Sequence, residues 1–329
     1  MKKFFAFAVA AALCGVAVSC GGDDENTDGP EAGGPTGPAG NPVVPVQSPS
    51  DFGGVRLLSV LDDQYGYGNH YTYDAQGLIK TVSDGYQTYT VDFAHGTVTM
   101  REYDEDFVGY ITNTADGIIT SLNCTVTEYD DNTVETTNIT WNFQYDNQGH
   151  LLKALYEEHT MNAAGAETEW MKGSTTFTWS NGLLLSTYAA YTERYQGMND
   201  SWSSSISFEY DNSYPNAFCQ YTDEMISMID LDGEIEPFMF IGVLGKGPGK
   251  FPSKIIDNDN SETSNVDYTL RPDGLVRSEI LSYDYGYGVS SSSLTYTYTD
   301  DRNTQTLAAP TPKAPKKHLT FRKQRPTRR

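Results

Sequence analysis

Short runs of alternating apolar and polar residues dominate the chain from about Phe52 onward. The runs are rich in Tyr, Thr, Val and Phe, and clusters of Asp, Asn and Gly separate them. Alternation with a period of two places successive side chains on opposite faces of a strand, and the turn residues between the runs mark hairpins. The pattern predicts a mainly β protein, built as a long antiparallel meander.

One unit recurs in this region: two aromatic residues two positions apart, a polar turn that ends in glycine, and an aliphatic return. Clear copies occupy residues 71–79 (YTYDAQGLI) and 143–151 (FQYDNQGHL). Weaker copies have their turns at Gly96, Gly117, Gly182 and Gly274. Glycine is expected at these positions because closing a tight hairpin demands a positive φ.

A second set of polar turns lies between the glycine turns, at residues 83–85, 104–106, 130–132, 162–165 and 197–200. Turns that alternate between the two ends of the strands predict twisted hairpins, which curl into an open barrel or β shell to cover their apolar face. The interval between glycine turns grows from 19 residues (Gly77 to Gly96) to 33 (Gly149 to Gly182). We therefore expect the strands to lengthen along the chain.

The alternation breaks near residues 215–245. Phe218, Tyr221, Met225 and Ile229 recur at steps of three and four residues, which is helical spacing. A proline at 237 and a glycine at 245 bound a second short apolar segment, as they do in helices. The sequence predicts a short helical insertion that acts as a plug or lid on the curled sheet.

The first residues predict a cleaved leader. Two lysines precede an apolar run at residues 4–18 that is too short for an ordinary membrane span, and small Ser19 comes directly before Cys20. The segment Ala17-Val18-Ser19-Cys20 resembles the lipobox of bacterial lipoproteins, which implies a signal peptide over 1–19 and a lipid on Cys20. Cys14 is the alternative site, but a bulky leucine precedes it.

The remaining chain divides by composition. Residues 20–50 are rich in Gly and Pro and lack apolar periodicity, so we expect a flexible acidic tether. Residues 51–305 hold the predicted β domain, and 306–329 form a basic tail that we expect to be disordered. The acids at 23–25 resemble the export signal of Bacteroidetes surface lipoproteins. That resemblance implies an outer-membrane protein facing the cell exterior.

Charge restricts the partners of the β domain. Two of the 22 basic residues lie in the leader and eight in the tail, which leaves 12 for the tether and the β domain together, against 44 acidic residues, and a formal charge of about −32. A surface of this sign repels nucleic acid and anionic lipid headgroups. Contact with the membrane is therefore expected only through the lipid on Cys20.

Tyrosine is the most prominent candidate for ligand binding. Two glycine-flanked clusters contain Tyr65 with Tyr67 and Tyr285 with Tyr287. Exposed rings in loops stack against sugars, and their hydroxyl groups form hydrogen bonds. The alternative is that the 23 tyrosines reflect strand propensity alone. The expected ligand is a glycan, and the sequence names no protein partner.

Metal and cysteine chemistry give weaker signals. Acidic runs at 104–106, 230–234 and 257–260 suit calcium, but none completes a calcium loop, so we predict solvated turns and no cofactor.

An envelope location permits a disulfide between Cys124 and Cys219; the alternative is two small buried side chains. The sequence contains no Gly-x-Ser-x-Gly, His-Glu-x-x-His or phosphate-binding glycine loop, and we predict no catalytic residue.

The hairpin units resemble the YD repeats of Rhs-type proteins, whose hairpins wind into a β shell. The leader, the hairpins, the central insertion and the segments 251–255 (FPSKI) and 271–274 (RPDG) are similar to Bacteroidetes surface lipoproteins of domain-of-unknown-function family 4595. This resemblance implies the architecture and no activity. We expect a non-catalytic ligand-binding lipoprotein; the alternatives are a protein-interaction accessory of an envelope complex and, third, a glycan hydrolase.

Overall fold

The computed structural model describes residues 51–84, 87–102, 105–114, 117–130, 133–211, 213–229, 231, 235, 238–260, 262–284 and 289–303. The predictions for the leader, Cys20, the tether, Tyr285, Tyr287 and the tail lie outside these residues.

Seventeen strands account for most of the described chain. They are β1 (Asp51–Phe52), β2 (Val55–Asp62), β3 (Gly68–Tyr73), β4 (Ile79–Ser83), β5 (Thr88–Asp92), β6 (Thr97–Arg101), β7 (Glu105–Asn113), β8 (Ile119–Asp130), β9 (Thr133–Tyr145), β10 (Leu151–Asn162), β11 (Glu167–Ser180), β12 (Leu183–Tyr195), β13 (Met198–Glu209), β14 (Lys254–Asp257), β15 (Glu262–Leu270), β16 (Val276–Asp284) and β17 (Val289–Tyr298).

The strands close into a barrel. Each of β2 to β17 pairs with its neighbour in sequence, always antiparallel, and β17 pairs with β2 to complete a ring of sixteen strands. In that last pairing Leu294 lies opposite Asp62 and Tyr296 opposite Val60. The predicted antiparallel meander is confirmed. The barrel is closed, whereas the sequence predicted an open barrel or β shell. Closure depends on the register between β2 and β17, and neither strand alone carries a signature of that register.

The two sets of turns lie at opposite ends of the barrel, as predicted. The end that we call the glycine rim carries turns whose glycines all have positive φ, between 64° and 91°: Gly77, Gly96, Gly117, Gly149, Gly182 and Gly274. The other end, the far rim, carries the connections at 63–67, 163–166, 196–197 and 258–261. Strands lengthen as expected, from 5 residues in β4 to 14 in β11. The chain enters β1 at the glycine rim.

The inner face of the barrel is apolar and the outer face is polar. In β15, Ser264, Val266 and Tyr268 are buried, whereas Asn265 and Asp267 between them are exposed. The outer positions of β9 and β13 are likewise mainly Thr, Asn, Gln and Ser. Barrels that span a membrane have the reverse pattern, with an apolar band outside and polar residues inside. The outer wall of this barrel is therefore suited to water.

The helical insertion lies between β13 and β14, over residues 210–253, and we call it the plug. It contains the helix α1 (Asp223–Met228) and a π-helical turn at Met239–Val243. The helical spacing predicted a start near Phe218, but the helix begins five residues later because Thr222 caps it, accepting a hydrogen bond from the Met225 amide, and Cys219 has a φ of 51°. None of the helices in the described part of the chain has the length and hydrophobicity that a membrane crossing requires.

The plug fills the lumen and contacts the wall on several sides. Phe238 is fully buried and its ring centroid lies 5.6 Å from that of Phe107 on β7. On β9, the Tyr145 hydroxyl donates a hydrogen bond to the Val243 carbonyl. Near the glycine rim, Gly245 forms a β-bridge with His150. These contacts make the plug part of the core rather than a lid over one edge.

We predict that Phe238→Ala lowers the free energy of unfolding by about 3–5 kcal/mol, because it removes a fully buried ring from the centre of the lumen. Phe218→Ala in the same insertion is the control, because Phe218 is 39% exposed and its ring packs edge-on against Phe52. Urea denaturation measures both variants. If Phe238→Ala lowers the free energy of unfolding no more than Phe218→Ala does, the packing of the plug does not stabilise the barrel as proposed.

Candidate functional site

The most exposed aromatic pair of the described residues lies on the far rim. Tyr65 and Tyr67 are 64% and 58% exposed, and their rings are nearly parallel, at 16°, with centroids 6.4 Å apart. The turn beneath them is held by Asp62, whose Oδ1 accepts hydrogen bonds from the Gln64 and Tyr65 amides. Gly66 has a φ of 68°, so the chain reverses sharply between the two tyrosines. The result is a fixed pair of flat apolar surfaces facing solvent.

The strand register brings the end of β16 and the start of β17 to the same rim. β16 ends at Asp284 and β17 begins at Val289, at the end of the barrel where β2 ends at Asp62. Asp63 joins the two hairpins, since its amide donates to the Ser293 carbonyl and its carboxylate accepts from the Ser293 hydroxyl. Tyr285 and Tyr287 lie outside the described residues, between the ends of these strands.

Most other tyrosines face the lumen. Their hydroxyl groups donate to backbone carbonyls of the wall or the plug: Tyr73 to Leu57, Tyr210 to Leu184, Tyr298 to Val276, and Tyr145 to Val243. A tyrosine in this role fills space with its ring and satisfies a polar backbone group with its hydroxyl. Strand packing therefore accounts for the inward tyrosines, whereas Tyr65 and Tyr67 form an exposed pair at the rim and Tyr129 and Tyr188 lie exposed on the wall.

Two carboxyl groups meet where the plug contacts the wall. Glu224 in α1 is 6% exposed and Glu279 on β16 is 0% exposed. Glu279 accepts hydrogen bonds from the hydroxyl groups of Thr222 (2.9 Å) and Tyr296 (2.7 Å). The Tyr283 hydroxyl lies 3.4 Å from each carboxylate oxygen of Glu224. Sequence patterns gave no sign of this cluster, because its members lie far apart in the chain and only the plug brings them together.

Burial raises the pKa of both carboxyl groups. The pKa of Glu279 rises from its ordinary 4.5 to about 8, first because of desolvation and then because of the negative charges of Glu224 and Asp223. Desolvation and the neighbouring Asp223 raise the pKa of Glu224 to about 7. Two neighbouring carboxyl groups with raised pKa values are typical of an acid and base pair in catalysis. Both side chains here are buried between the plug and the wall, where a substrate has no access. The geometry favours a structural pair over a substrate site.

The two cysteines of the β domain do not form the disulfide that an envelope location permits. The structure holds Cys124 and Cys219 as thiols, the first buried on β8 and the second half-buried in the plug. Cys124 lies near Phe238: a methyl group added to Gly109 would approach the Phe238 ring to 2.7 Å and the Cys124 sulfur to 3.2 Å. Packing under the plug explains this small side chain.

The acidic run at 257–260 lies at a turn, whereas Glu105 and Asp106 begin β7 and most of the run at 230–234 lies outside the described residues. Asp257 accepts hydrogen bonds from the amides of Asp259 and Asn260, and Asp259 accepts one from the Ser205 amide. Asp106 pairs with Arg101. Within the described residues, no three His, Cys, Asp or Glu side chains are arranged to hold a metal ion.

A groove opens on the glycine rim between the turns that follow β3 and β5. Its volume is about 720 Å³, and its lining includes Tyr73, Lys80, Thr90 and Phe93. This volume is within the range of small-ligand sites, but the carboxylates at its edge, Asp74 and Asp92, are engaged by the amides of their own turns. The groove therefore offers fewer directed contacts than its size suggests.

No protein-family model matches the chain, and no curated protein does. The chain is similar to a porin-like protein from Bacteroides uniformis ATCC 8492, with 15% identity and a TM-score of 0.49 over 74% of this chain and 96% of that chain. It is also similar to a porin-like protein from Bacteroides vulgatus ATCC 8482, with 14% identity and a TM-score of 0.48 over 73% of this chain and 97% of that chain. The barrel architecture described above rests on the strand pairing alone.

We predict that Glu279→Gln stabilises the protein more at pH 8.5 than at pH 5. Between about pH 4.5 and about pH 8 the folded protein holds a proton on Glu279 that the unfolded chain releases, so the free energy of unfolding falls as pH rises. Glutamine removes this loss, which is up to about 5 kcal/mol. Urea denaturation at both pH values measures the difference. If the variant is destabilised equally at both pH values, ionisation of Glu279 in the folded protein has no cost in the free energy of unfolding.

Proposed function

We propose that this chain is a lipid-anchored lipoprotein of the bacterial outer membrane, displayed toward the cell exterior, whose barrel binds an extracellular glycan without catalysis. The exposed tyrosine pair on the far rim carries this proposal. Tyr65 and Tyr67 offer two nearly parallel rings on a turn fixed by Asp62. Flat apolar rings of this kind stack against the faces of sugar rings, and their hydroxyl groups bond to sugar hydroxyls.

The position of the chain start supports display of this rim. Asp51 enters the barrel at the glycine rim, where β1 pairs with the first residues of β2. An anchor on Cys20 would join the barrel at that end, and the far rim would point away from the membrane. The polar outer wall fits a barrel held in water by a tether rather than one embedded in lipid.

The charge of the barrel supports a neutral glycan over polyanionic partners. The tether and the β domain together carry 44 acidic against 12 basic residues once leader and tail are set aside, so nucleic acids and anionic lipid surfaces are repelled. A neutral sugar pays no such electrostatic penalty. Stacking on tyrosine requires no charge on the ligand.

The non-catalytic part of the proposal follows from the burial of the carboxyl pair. A glycan hydrolase needs two carboxyl groups that flank a bound glycosidic bond. Glu224 and Glu279 are the pair with raised pKa values among the described carboxyl groups, and both are enclosed by the plug and the wall. We therefore favour binding over hydrolysis.

An accessory role in an envelope complex is the second candidate. Tyr188 on the outer face of β12 is 53% exposed, in the middle of the barrel wall. Tyrosine is enriched at protein interfaces, so this position favours a protein partner on the wall. Crosslinking and pull-down from membranes distinguish the two: a stable protein partner without sugar affinity supports the accessory role.

We predict that the double variant Tyr65→Ala, Tyr67→Ala weakens glycan binding at least about tenfold, because it removes two stacking surfaces of about 1 kcal/mol each. Tyr188→Ala is the matched control, since it deletes a tyrosine of similar exposure from the wall. An array of host and dietary polysaccharides identifies the ligand and calorimetry measures the affinity. Folded protein that binds no glycan on the array contradicts the proposal.

We predict that Cys20→Ala abolishes labelling by a palmitate analogue in growing cells, whereas Cys14→Ala leaves it intact. The small residue before Cys20 suits the leader peptidase, and the leucine before Cys14 does not. Gel fluorescence of the immunoprecipitated protein reads out the label. Label that persists in Cys20→Ala would place the lipid elsewhere or show a different leader.

A further inference from the structure

A set of hydroxyl and carboxyl groups lies at the contact between α1 and the strands β15 to β17. Thr222, which caps α1, donates to Glu279, and the Asp223 amide donates to the hydroxyl of Tyr296 at 3.0 Å. On the far side of α1, Asn69 of β3 donates to Asp223 at 3.2 Å. Apolar packing alone does not hold this part of the plug.

The groups that face the two glutamates come from four elements. α1 contributes Asp223 and the hydroxyls of Thr222 and Ser227. β15 contributes Ser264 and Tyr268; β16 contributes Tyr283; β17 contributes Tyr296; and Tyr71 of β3 faces Asp223. No cation is among the groups that act on Glu224 or Glu279 in the described chain.

The structure offers space next to this contact. A cavity of about 40 Å³ lies between α1 and the wall, and Asp223 and Tyr296 line it together with Ile226 and Met239. A cavity of this size has room for about one water molecule or for a small side-chain shift. Asp223 and Tyr296 are therefore not enclosed by packing on every side.

We propose that Glu224 and Glu279 form a proton-operated latch, which holds the plug against β15 to β17 when both carboxyl groups are neutral and loosens the whole plug, including the contact of Phe238 with β7 and β8, when they ionise. The neutral groups take part in hydrogen bonds with the surrounding hydroxyls without net charge. When ionised, Glu224, Glu279 and Asp223 place like charges in a buried space, and moving α1 outward returns them to water.

The titration range makes the latch responsive near neutral pH. Burial raises the pKa of Glu224 to about 7 and that of Glu279 to about 8, so both protons are lost between about pH 6 and pH 9. Burial holds the pKa values of Tyr71, Tyr268 and Tyr296 well above their ordinary range, so these hydroxyls stay protonated throughout. The carboxyl groups are thus the ones that change state.

Cys124 is a natural reporter of plug release, because its buried thiol lies close to the Phe238 ring. The test uses the full chain with Cys14, Cys20 and Cys219 replaced by Ser. A methanethiosulfonate reagent labels Cys124 at pH 6 and pH 9, and the rate is divided by that of the urea-unfolded chain at the same pH, which removes the intrinsic reactivity of the thiol. Circular dichroism at both pH values reports whether the strands persist.

We expect the protection of Cys124 to fall at least about tenfold from pH 6 to pH 9 while the strand signal is unchanged, as linkage to a pKa of about 8 requires. Glu279→Gln should reduce this fall but not remove it, because Glu224, with a pKa of about 7, still ionises in that range; replacing both glutamates by Gln should reduce the fall to less than about threefold. Glu262→Gln, which alters an exposed carboxylate at the start of β15, should keep the full dependence.

Two results overturn the latch. The first is equal protection of Cys124 at pH 6 and pH 9 in the chain that keeps both glutamates. This result does not depend on any glutamate variant, so the test remains valid even if such a variant fails to fold. A pH dependence in folded Glu279→Gln that matches the parent chain also overturns it, because the fall then has another origin.

Discussion

The width of the lumen is the constraint on which the rest of this structure depends. Sixteen strands enclose a space that side chains of the wall cannot fill, and barrels of this size usually hold water. Here the inner wall is apolar, so an empty lumen would expose a large hydrophobic surface to solvent. The plug covers this surface by bringing four apolar side chains into the centre, each of them 1% exposed or less: Phe238, Met225, Ile235 and Leu244. Barrel and plug are therefore one core, and neither is expected to be stable without the other.

Filling the lumen with chain introduces polar backbone groups that need partners. Irregular segments of the plug leave carbonyls without helical or strand bonds, and tyrosine hydroxyls of the wall reach them, as Tyr145 does at Val243. Phenylalanine in that place would pack equally well and leave the carbonyl unsatisfied. The abundance of tyrosine thus has a physical cause inside the barrel, which is separate from its exposed use at Tyr65 and Tyr67.

Local chemistry made the hairpins predictable from sequence. A turn such as 74–78 needs an acceptor side chain at Asp74 and a positive φ at Gly77, and both requirements are visible in the residues themselves. Closure of the ring and the approach of Glu224 to Glu279 were not predictable, since each depends on residues far apart in the chain. The short length of α1 was missed because apolar spacing from Phe218 continues through a segment whose backbone is not helical. The exposed tyrosine pair was identified because glycines flank it.

The cost of burying Glu279 argues for a role beyond stability. A hydrophobic residue of similar volume would avoid the desolvation of a carboxyl group, and replacement of buried ionisable groups by apolar ones is often neutral or stabilising. A second carboxyl group, Glu224, lies on the opposing element and raises the same cost again. Two buried acids on opposite sides of one contact do not improve packing, but they do make that contact depend on protons. A plug that only filled space would need neither of them.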